Sequence, residues 1–284
     1  VLVTEPSELS IVVTTYERPA ALDVVLRALA DQWVEGFEIV VADDGSGPET
    51  AGVVGRWAQR IDVRHLWQPN EGFLKARLLN RAVLATRGRF LVFLDGDCVP
   101  RVGFLRAVRR AALPGWFIAS KRLHLSPGFS RRVVAEELPV WRWSSWVWLV
   151  RAPRELVVSH HRQANRPGTL FPLRDRSRPW RPDRRDFRPP YNGYGYALGV
   201  HREDLERVNG FDMRLRGWDG EDVDVAHRLR MAGLRCGWPG PDASVLHLWH
   251  TPGKQPASRF PRNALAVQAP SGLHELAVEL ESVS

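Results

Sequence analysis

Asp95-Gly96-Asp97 closes the most apolar strand-like run of this chain, Arg89-Phe90-Leu91-Val92-Phe93-Leu94. Residues two apart in extended backbone face the same way. Hard divalent cations take oxygen ligands, Mg²⁺ typically through one or two carboxylates plus substrate phosphates. Asp95 and Asp97 therefore suit a metal that holds a diphosphate, although Asp-Gly-Asp also serves as a plain polar turn. A second acidic cluster, Trp218-Asp219-Gly220-Glu221-Asp222, opens a helix-like segment far downstream. Acids in a first turn favour the helix dipole without further purpose. Beside Trp218 they also suit a general base, because a carboxylate desolvated by an indole has its pKa moved upward.

Three smaller groups add to these. Asp43 and Asp44 could accept hydrogen bonds from a nucleobase or ribose, or simply make an Asp-Gly turn. In Thr14-Thr15-Tyr16-Glu17 the Tyr can stack on a base and the Thr residues can hydrogen-bond it. His247 and His250 offer imidazole to a metal. There is no Gly-x-Gly-x-x-Gly and no Gly-Lys-Ser/Thr phosphate loop, which argues against a dehydrogenase-type dinucleotide fold and a P-loop.

The elements that must position these residues alternate. Strands are expected at Leu9–Thr14, Glu38–Ala42, Asp62–Trp67, Arg89–Leu94 and Trp116–Ser120. Helices are expected from Pro19, from Glu49 to Arg60, from Gly72 to Thr86 and near Phe104–Ala111, with Pro19 tolerated in a first turn. Such alternation predicts an α/β fold with a mainly parallel sheet covered on both faces, whose ligands bind at strand carboxyl ends. Thr14, Asp43, Asp44 and Asp95 all fall at such ends. The pattern breaks over 126–190, rich in Pro, Arg and Trp, which reads as a helical and loop insertion between residues 1–125 and 191–252. Beyond the insertion, helices are expected at Asp204–Val208 and Gly220–Ala232, and a strand carrying His247 at Ala243–Leu248. Residues 253–284 read as a tail with little that requires order.

With 284 residues, 44% hydrophobic and 25% charged, the chain can bury a real core. Its formal charge is +8, and Arg151 to Arg188 holds eleven Arg against four acids. That segment is either a solvated Arg-rich surface or a patch for an anionic partner. Trp141, Trp143, Trp146 and Trp148 lie close together, as a core-facing or lid helix, a carbohydrate platform or a peripheral membrane contact. Cys98 and Cys236 show no metal-ligand spacing, so a reducing, cytoplasmic setting is expected. No basic-then-apolar leader is seen, and no apolar run approaches the ~20 residues of a membrane span.

With these residues in place, the chain resembles family 2 glycosyltransferases of the GT-A fold from about Leu9 to His250. The resemblance rests on Ile11-Val12-Val13-Thr14-Thr15-Tyr16-Glu17-Arg18, Val41-Ala42-Asp43-Asp44-Gly45-Ser46, Asn70-Glu71-Gly72-Phe73 with Asn80, and Phe93-Leu94-Asp95-Gly96-Asp97. It continues in Val208-Asn209-Gly210-Phe211-Asp212, Gly217-Trp218-Asp219-Gly220-Glu221-Asp222 and Val245-Leu246-His247-Leu248-Trp249-His250. The Trp-x-Gly-Glu-Asp portion looks like that of chondroitin polymerases and β-galactosyltransferases.

The resemblance implies an inverting, metal-dependent transferase that moves sugar from a nucleotide-diphosphate sugar, a UDP-sugar above others, to an acceptor hydroxyl. Thr14, Tyr16, Glu17, Asp43 and Asp44 would line the nucleotide pocket. Asp95 with Gly96 would meet ribose or metal. Asp97 and His247 would ligate Mn²⁺ or Mg²⁺, with His250 the fallback. Asp222 would be the base and Glu221 would bind acceptor, with Trp218, Gly220 and Asn192 shaping that pocket. Relatives often carry Arg-Asn in the third helix where this chain has Leu79-Asn80, so phosphate contacts pass to Lys75 or Arg77. The rival enzyme class is a nucleotidyltransferase, and the rival outside enzymes is a basic glycan- or nucleic-acid-binding module. Nucleic acid is not the expected partner.

Overall fold

The computed structural model describes residues 8–33, 36–72, 74–157, 170, 197–216, 220–251 and 266–282. In chain order the first half runs β1 Leu9–Thr15, α1 Pro19–Ala30, β2 Phe37–Asp43, α2 Pro48–Ala58, β3 Val63–Trp67, α3 Lys75–Ala85, β4 Phe90–Asp95, β5 Cys98–Pro100, α4 Phe104–Ala111, β6 Trp116–Ala119 and β7 Arg122–His124. There follow α5 Pro127–Val134, a 3₁₀ turn Val140–Arg142, α6 Ser145–Arg151, α7 Pro153–Val157, β8 Ala197–His201, α8 Arg202–Arg207, α9 Glu221–Met231, β9 Arg235–Gly237, β10 Val245–His247 and α10 Leu273–Glu281.

Largely apolar runs make the central strands. β2 is buried at every position and β1 at all but Thr14, as expected of parallel strands covered on both faces. The main sheet has the order β3-β2-β1-β4-β8-β6-β9. β1, β2, β3 and β4 are mutually parallel, and β8 alone runs against its neighbours β4 and β6. Alternate side chains feed two cores. Ile11, Val13, Ile39, Val41 and Val92 pack with α1, α2 and α4. Val12, Val40, Leu91 and Phe93 pack with α3 and α9 on the other face.

A second, three-stranded sheet, β5-β10-β7, was not expected from the sequence. Its register places His247 opposite Cys98 and beside His124. The insertion is helical in its described part. Trp141, Trp143 and Trp148 are buried in the first core, with the Trp143 and Trp148 rings 5.2 Å apart, while Trp146 is 69% exposed. Most of the Arg-rich stretch lies outside the described residues.

The expected unordered tail is corrected in part by α10. Leu273 and Leu276 are buried. Glu275 Oε2 accepts from Gly272 N at 2.7 Å and from Asn209 Nδ2 at 2.9 Å. Asn209 Oδ1 accepts from His274 N at 2.9 Å. The helix is thus held by a turn far back in the chain.

Candidate active site

The parallel register sets the first carboxylates. Thr14 pairs with Asp95, and Thr15 with Asp43, so the carboxyl ends of β1, β2 and β4 are level. Thr14 Oγ1 lies 3.3 Å from Asp95 Oδ1. Gly96 N donates to Thr14 O at 2.7 Å. A Cβ on Gly96 would stand 2.6 Å from that same oxygen, so only glycine lets the Asp95-Gly96-Asp97 turn fold back this tightly.

The turn after β2 is a built socket. Asp43 is fully buried and accepts from Ser46 N at 2.9 Å, with His65 Nε2 at 2.9 Å from its other oxygen. Burial alone would raise its pKa, but His65 and Ser46 outweigh burial and hold it below the usual carboxylate value. Asp43 therefore braces the turn. Asp44 is pushed the other way by burial. It accepts from Gln68 Nε2 at 2.6 Å, and Gln68 Oε1 accepts from Arg81 at 3.1 Å. Gly45 has φ +96° and its Cβ position is 2.5 Å from Asn70 N. Glu17 has φ +48°. Two bonds hold it there: Glu17 N to Ser46 Oγ and Gly47 N to Glu17 Oε1, both 2.8 Å. Tyr16 beside it is half exposed.

The small sheet gathers the second group around Asp97. His247 Nε2 lies 3.7 Å from Asp97 Oδ1, and His250 Nε2 lies 3.3 Å from Asp97 Oδ2. The two imidazole rings are 5.2 Å apart. Among the described residues Asp97, Cys98 and His247 have ligand atoms all within 4.8 Å of one another. Burial, with Asp97 and Asp95 nearby, holds the Cys98 thiol well above its ordinary pKa. A carboxylate with two imidazoles fits Mn²⁺ or a similar divalent ion, and the protonated thiol is its lining. Arg18 Nη1 also contacts Asp97 Oδ2, at 2.8 Å.

The third group joins the two halves of the chain. Lys75, at the start of α3, has Nζ 2.9 Å from Asp95 Oδ1 and 3.0 Å from Glu221 Oε1. Burial opposes its charge, but Asp95, Glu221 and Asp222 outweigh burial and hold its pKa well above the lysine norm. Asp222 is pushed up to about 7 by burial and by Glu221, with Lys75 and the Val223 N–H pulling it down. Val223 N donates to Asp222 Oδ1 at 2.8 Å. Gly220 N lies 3.3 Å from Glu221 Oε2 at the helix start.

Thr14, Glu17, Asp43, Asp44, Lys75, Asp95, Asp97, Glu221, Asp222 and His247 are thus linked through three adjoining networks. Arg77 stands apart from them, forked onto Glu279 of α10 at 2.8 and 2.7 Å. Trp218 and Asn192 lie outside the described residues. Asn80 is a brace: its amide exchanges bonds with Phe211 N and O at 2.9 and 2.8 Å. Sequence reasoning missed Arg18, Gln68 and His65 at the site. Arg18 follows Glu17 within a quoted motif, and that adjacency was the available signal.

Comparison with known proteins fits this geometry. Residues 10–123 match the family described as Glycosyl transferase family 2. Residues 182–251 match the N-terminal domain of galactosyltransferase. The chain is 29% identical over 243 residues to validoxylamine A glucosyltransferase of Streptomyces hygroscopicus subsp. jinggangensis, covering 80% of this chain and 52% of that protein. It is 23% identical over 256 residues to chondroitin synthase of Pasteurella multocida, covering 87% of this chain and 25% of that protein. It therefore spans about half, or less, of the curated relatives it matches.

Among solved structures, the mannosyltransferase PcManGT from Pyrobaculum calidifontis, in complex with GDP-Man and Mn²⁺, superposes with a TM-score of 0.54. The identity is 20%, and the match covers 87% of this chain and 58% of that one. S. aureus TarS gives 0.52 at 16% identity, over 85% of this chain and 37% of that one. The fold is GT-A, and residues 10–123 are similar to the family 2 glycosyltransferases. Among the described residues no helix is long and apolar enough to cross a membrane.

Proposed function

We propose that this chain is an inverting transferase that moves a sugar from a nucleoside-diphosphate sugar, a UDP-sugar first among them, to an acceptor hydroxyl. The observation that carries this reading is the Lys75 bridge. It draws Asp95, from the nucleotide half, and Glu221, from the acceptor half, onto one ammonium.

Tyr16 and Asp44 would seat the base, with Asp44 held by Gln68. Asp97, Asp95 and His247, with His250 alongside, are the residues that would hold a divalent cation, and the carboxylate–imidazole set fits Mn²⁺ or Mg²⁺. Such an ion, when bound, supplies Lewis-acid stabilisation of the leaving diphosphate. Asp222 would take the acceptor proton as the hydroxyl oxygen attacks the anomeric carbon. A carboxylate near pKa 7 is basic enough to accept that proton and is about half ionised at neutral pH. A single displacement inverts the anomeric centre and needs no covalent intermediate. Glu221, with Gly220 and the adjoining Trp218 and Asn192, would orient the acceptor. Two free cysteines support a reducing, cytoplasmic setting. The Arg- and Trp-rich insertion is proposed as a peripheral contact surface.

The test is a panel of nucleotide sugars with Mn²⁺, read by thermal shift and by nucleotide release. A ligand that binds the folded state raises its stability by mass action. The reading expects one donor class to stabilise the protein, release of nucleoside diphosphate, and product of inverted anomeric configuration. Release of pyrophosphate, or retention of configuration, would refute it.

A further inference from the structure

We infer that Arg18 is a positioning residue that occupies the cation seat at Asp97 until a donor diphosphate arrives, so that metal and nucleotide bind as a coupled pair. The inference rests on the metal-dependent reading above. Its basis is one shared oxygen. Arg18 Nη1 is 2.8 Å from Asp97 Oδ2, the same oxygen that faces His250 Nε2 at 3.3 Å. An ion that takes this oxygen together with His250, or that draws on both oxygens of the carboxylate, takes the place of the guanidinium.

The backbone shows why Arg18 reaches there. Arg18 caps α1 with φ −136° and ψ 55°, and Pro19 follows as the first helical residue. A residue before proline is restricted in its backbone. Glu17, just before, adopts the left-handed region, a conformation that persists only where the surroundings over-determine it. Those surroundings are Ser46 and Gly47, on the turn proposed to seat the nucleobase. The arginine that covers Asp97 is therefore anchored through the nucleotide socket. Its side chain is over a third exposed, so it can swing without backbone change.

Guanidinium matches phosphate oxygens in geometry and charge. With diphosphate bound, Arg18 gains a new anionic partner and releases Asp97 to the metal. Without diphosphate, metal binding must break an ion pair and leave Arg18 unpaired. Metal and nucleotide should then strengthen each other, and by linkage equally in both directions.

The experiment is Mn²⁺ titration followed by the EPR signal of the free ion. It uses wild type, Arg18→Gln, Arg18→Ala and Asp97→Asn, each with and without UDP or GDP, with thermal midpoints as the check on folding. The expected result is that both Arg18 variants bind Mn²⁺ alone about fivefold tighter or more, and show a smaller tightening by nucleotide than wild type. If both Arg18 variants bind Mn²⁺ alone no better than wild type while Asp97→Asn abolishes binding, the inference is overturned and the metal seat stands. If Asp97→Asn leaves Mn²⁺ binding intact, the metal seat itself is wrong and the inference falls with it.

Discussion

Lys75 Nζ lies 3.0 Å from Glu221 Oε1, an ion pair between the first residue of α3 and the first residue of α9. The same ammonium is 2.9 Å from Asp95. It joins the acid at the end of the most apolar strand to the acids that open a helix in the second half of the chain. Lys75 also lowers the pKa of Asp222, so the proposed base is coupled to a lysine from the first half of the chain. Removing that lysine would change the chemistry of a residue nearly 150 positions away (about that by their numbers).

Lys75→Met tests this coupling. Lys75 lowers the Asp222 pKa, while burial, Glu221 and Asp95 raise it. With the ammonium gone only the raising influences and the Val223 N–H remain. The acid limb of the rate profile, expected near pH 7 in wild type, should move to higher pH. The variant should also lose about 3 kcal/mol of stability at neutral pH, because buried carboxylates are left uncompensated. A rate profile with an unmoved limb would remove Lys75 from this role.

Asp222 has a linked effect on stability. Its folded pKa, about 7, lies above the ordinary value of 3.8. The folded state thus holds this proton more tightly than the unfolded state. The resulting stability is full below about pH 4 and is lost as pH rises through about 7. Asp222→Asn cannot ionise, so it should gain stability relative to wild type across that window, by on the order of 1 kcal/mol or more at pH 8. Denaturant midpoints at pH 4.5 and 8, within ordinary buffers, measure it; a constant difference would contradict the assignment.

Asn80→Ala should be costly although Asn80 is placed to touch no substrate. Its amide both donates to Phe211 O and accepts from Phe211 N, and it is fully buried. Truncation strands two buried backbone groups, at about 1–3 kcal/mol each. Urea unfolding should report a loss of about 2–5 kcal/mol with little change in m. A loss under about 1 kcal/mol would mean water replaces the amide.

Gly45→Ala should damage the nucleotide socket. The backbone there has φ +96°, and the new Cβ would meet Asn70 N at 2.5 Å. Both strain and contact fall on the turn that holds Asp43 and Asp44. Calorimetry should find nucleotide affinity reduced about tenfold or more, equivalent to about 1.4 kcal/mol. Unchanged affinity would show that the turn does not carry the base.

Much of this was legible in the residues. β1, β2 and β4 are largely apolar runs, β2 and β4 ending in acids, and burial on both faces demands such runs. Their parallel register then brings Thr14, Asp43 and Asp95 level with no further information. β5, β7, β9 and β10 have three residues each, too few to show a period, so the sheet that carries His247 to Asp97 stayed hidden. α10 was missed because it is held by Asn209 and by only two buried leucines, a tertiary effect on a weak local pattern. The contacts of Arg18 and Lys75 are ion pairs between distant segments, and charge type alone does not name a partner. Arg77 shows the converse, since a cation two residues from Lys75 along the helix turns instead to Glu279.

The account depends on a cation seat at Asp97 and a proton acceptor at Asp222 serving one substrate complex. UDP titration with Mn²⁺, run beside single-turnover transfer on Asp97→Asn and Asp222→Asn, tests this most directly. The account predicts that Asp97→Asn loses both metal-dependent nucleotide binding and transfer. Asp222→Asn should keep nucleotide binding while transfer falls by about 10²–10⁴. Near-normal turnover in Asp222→Asn, or full metal-dependent binding in Asp97→Asn, would contradict it.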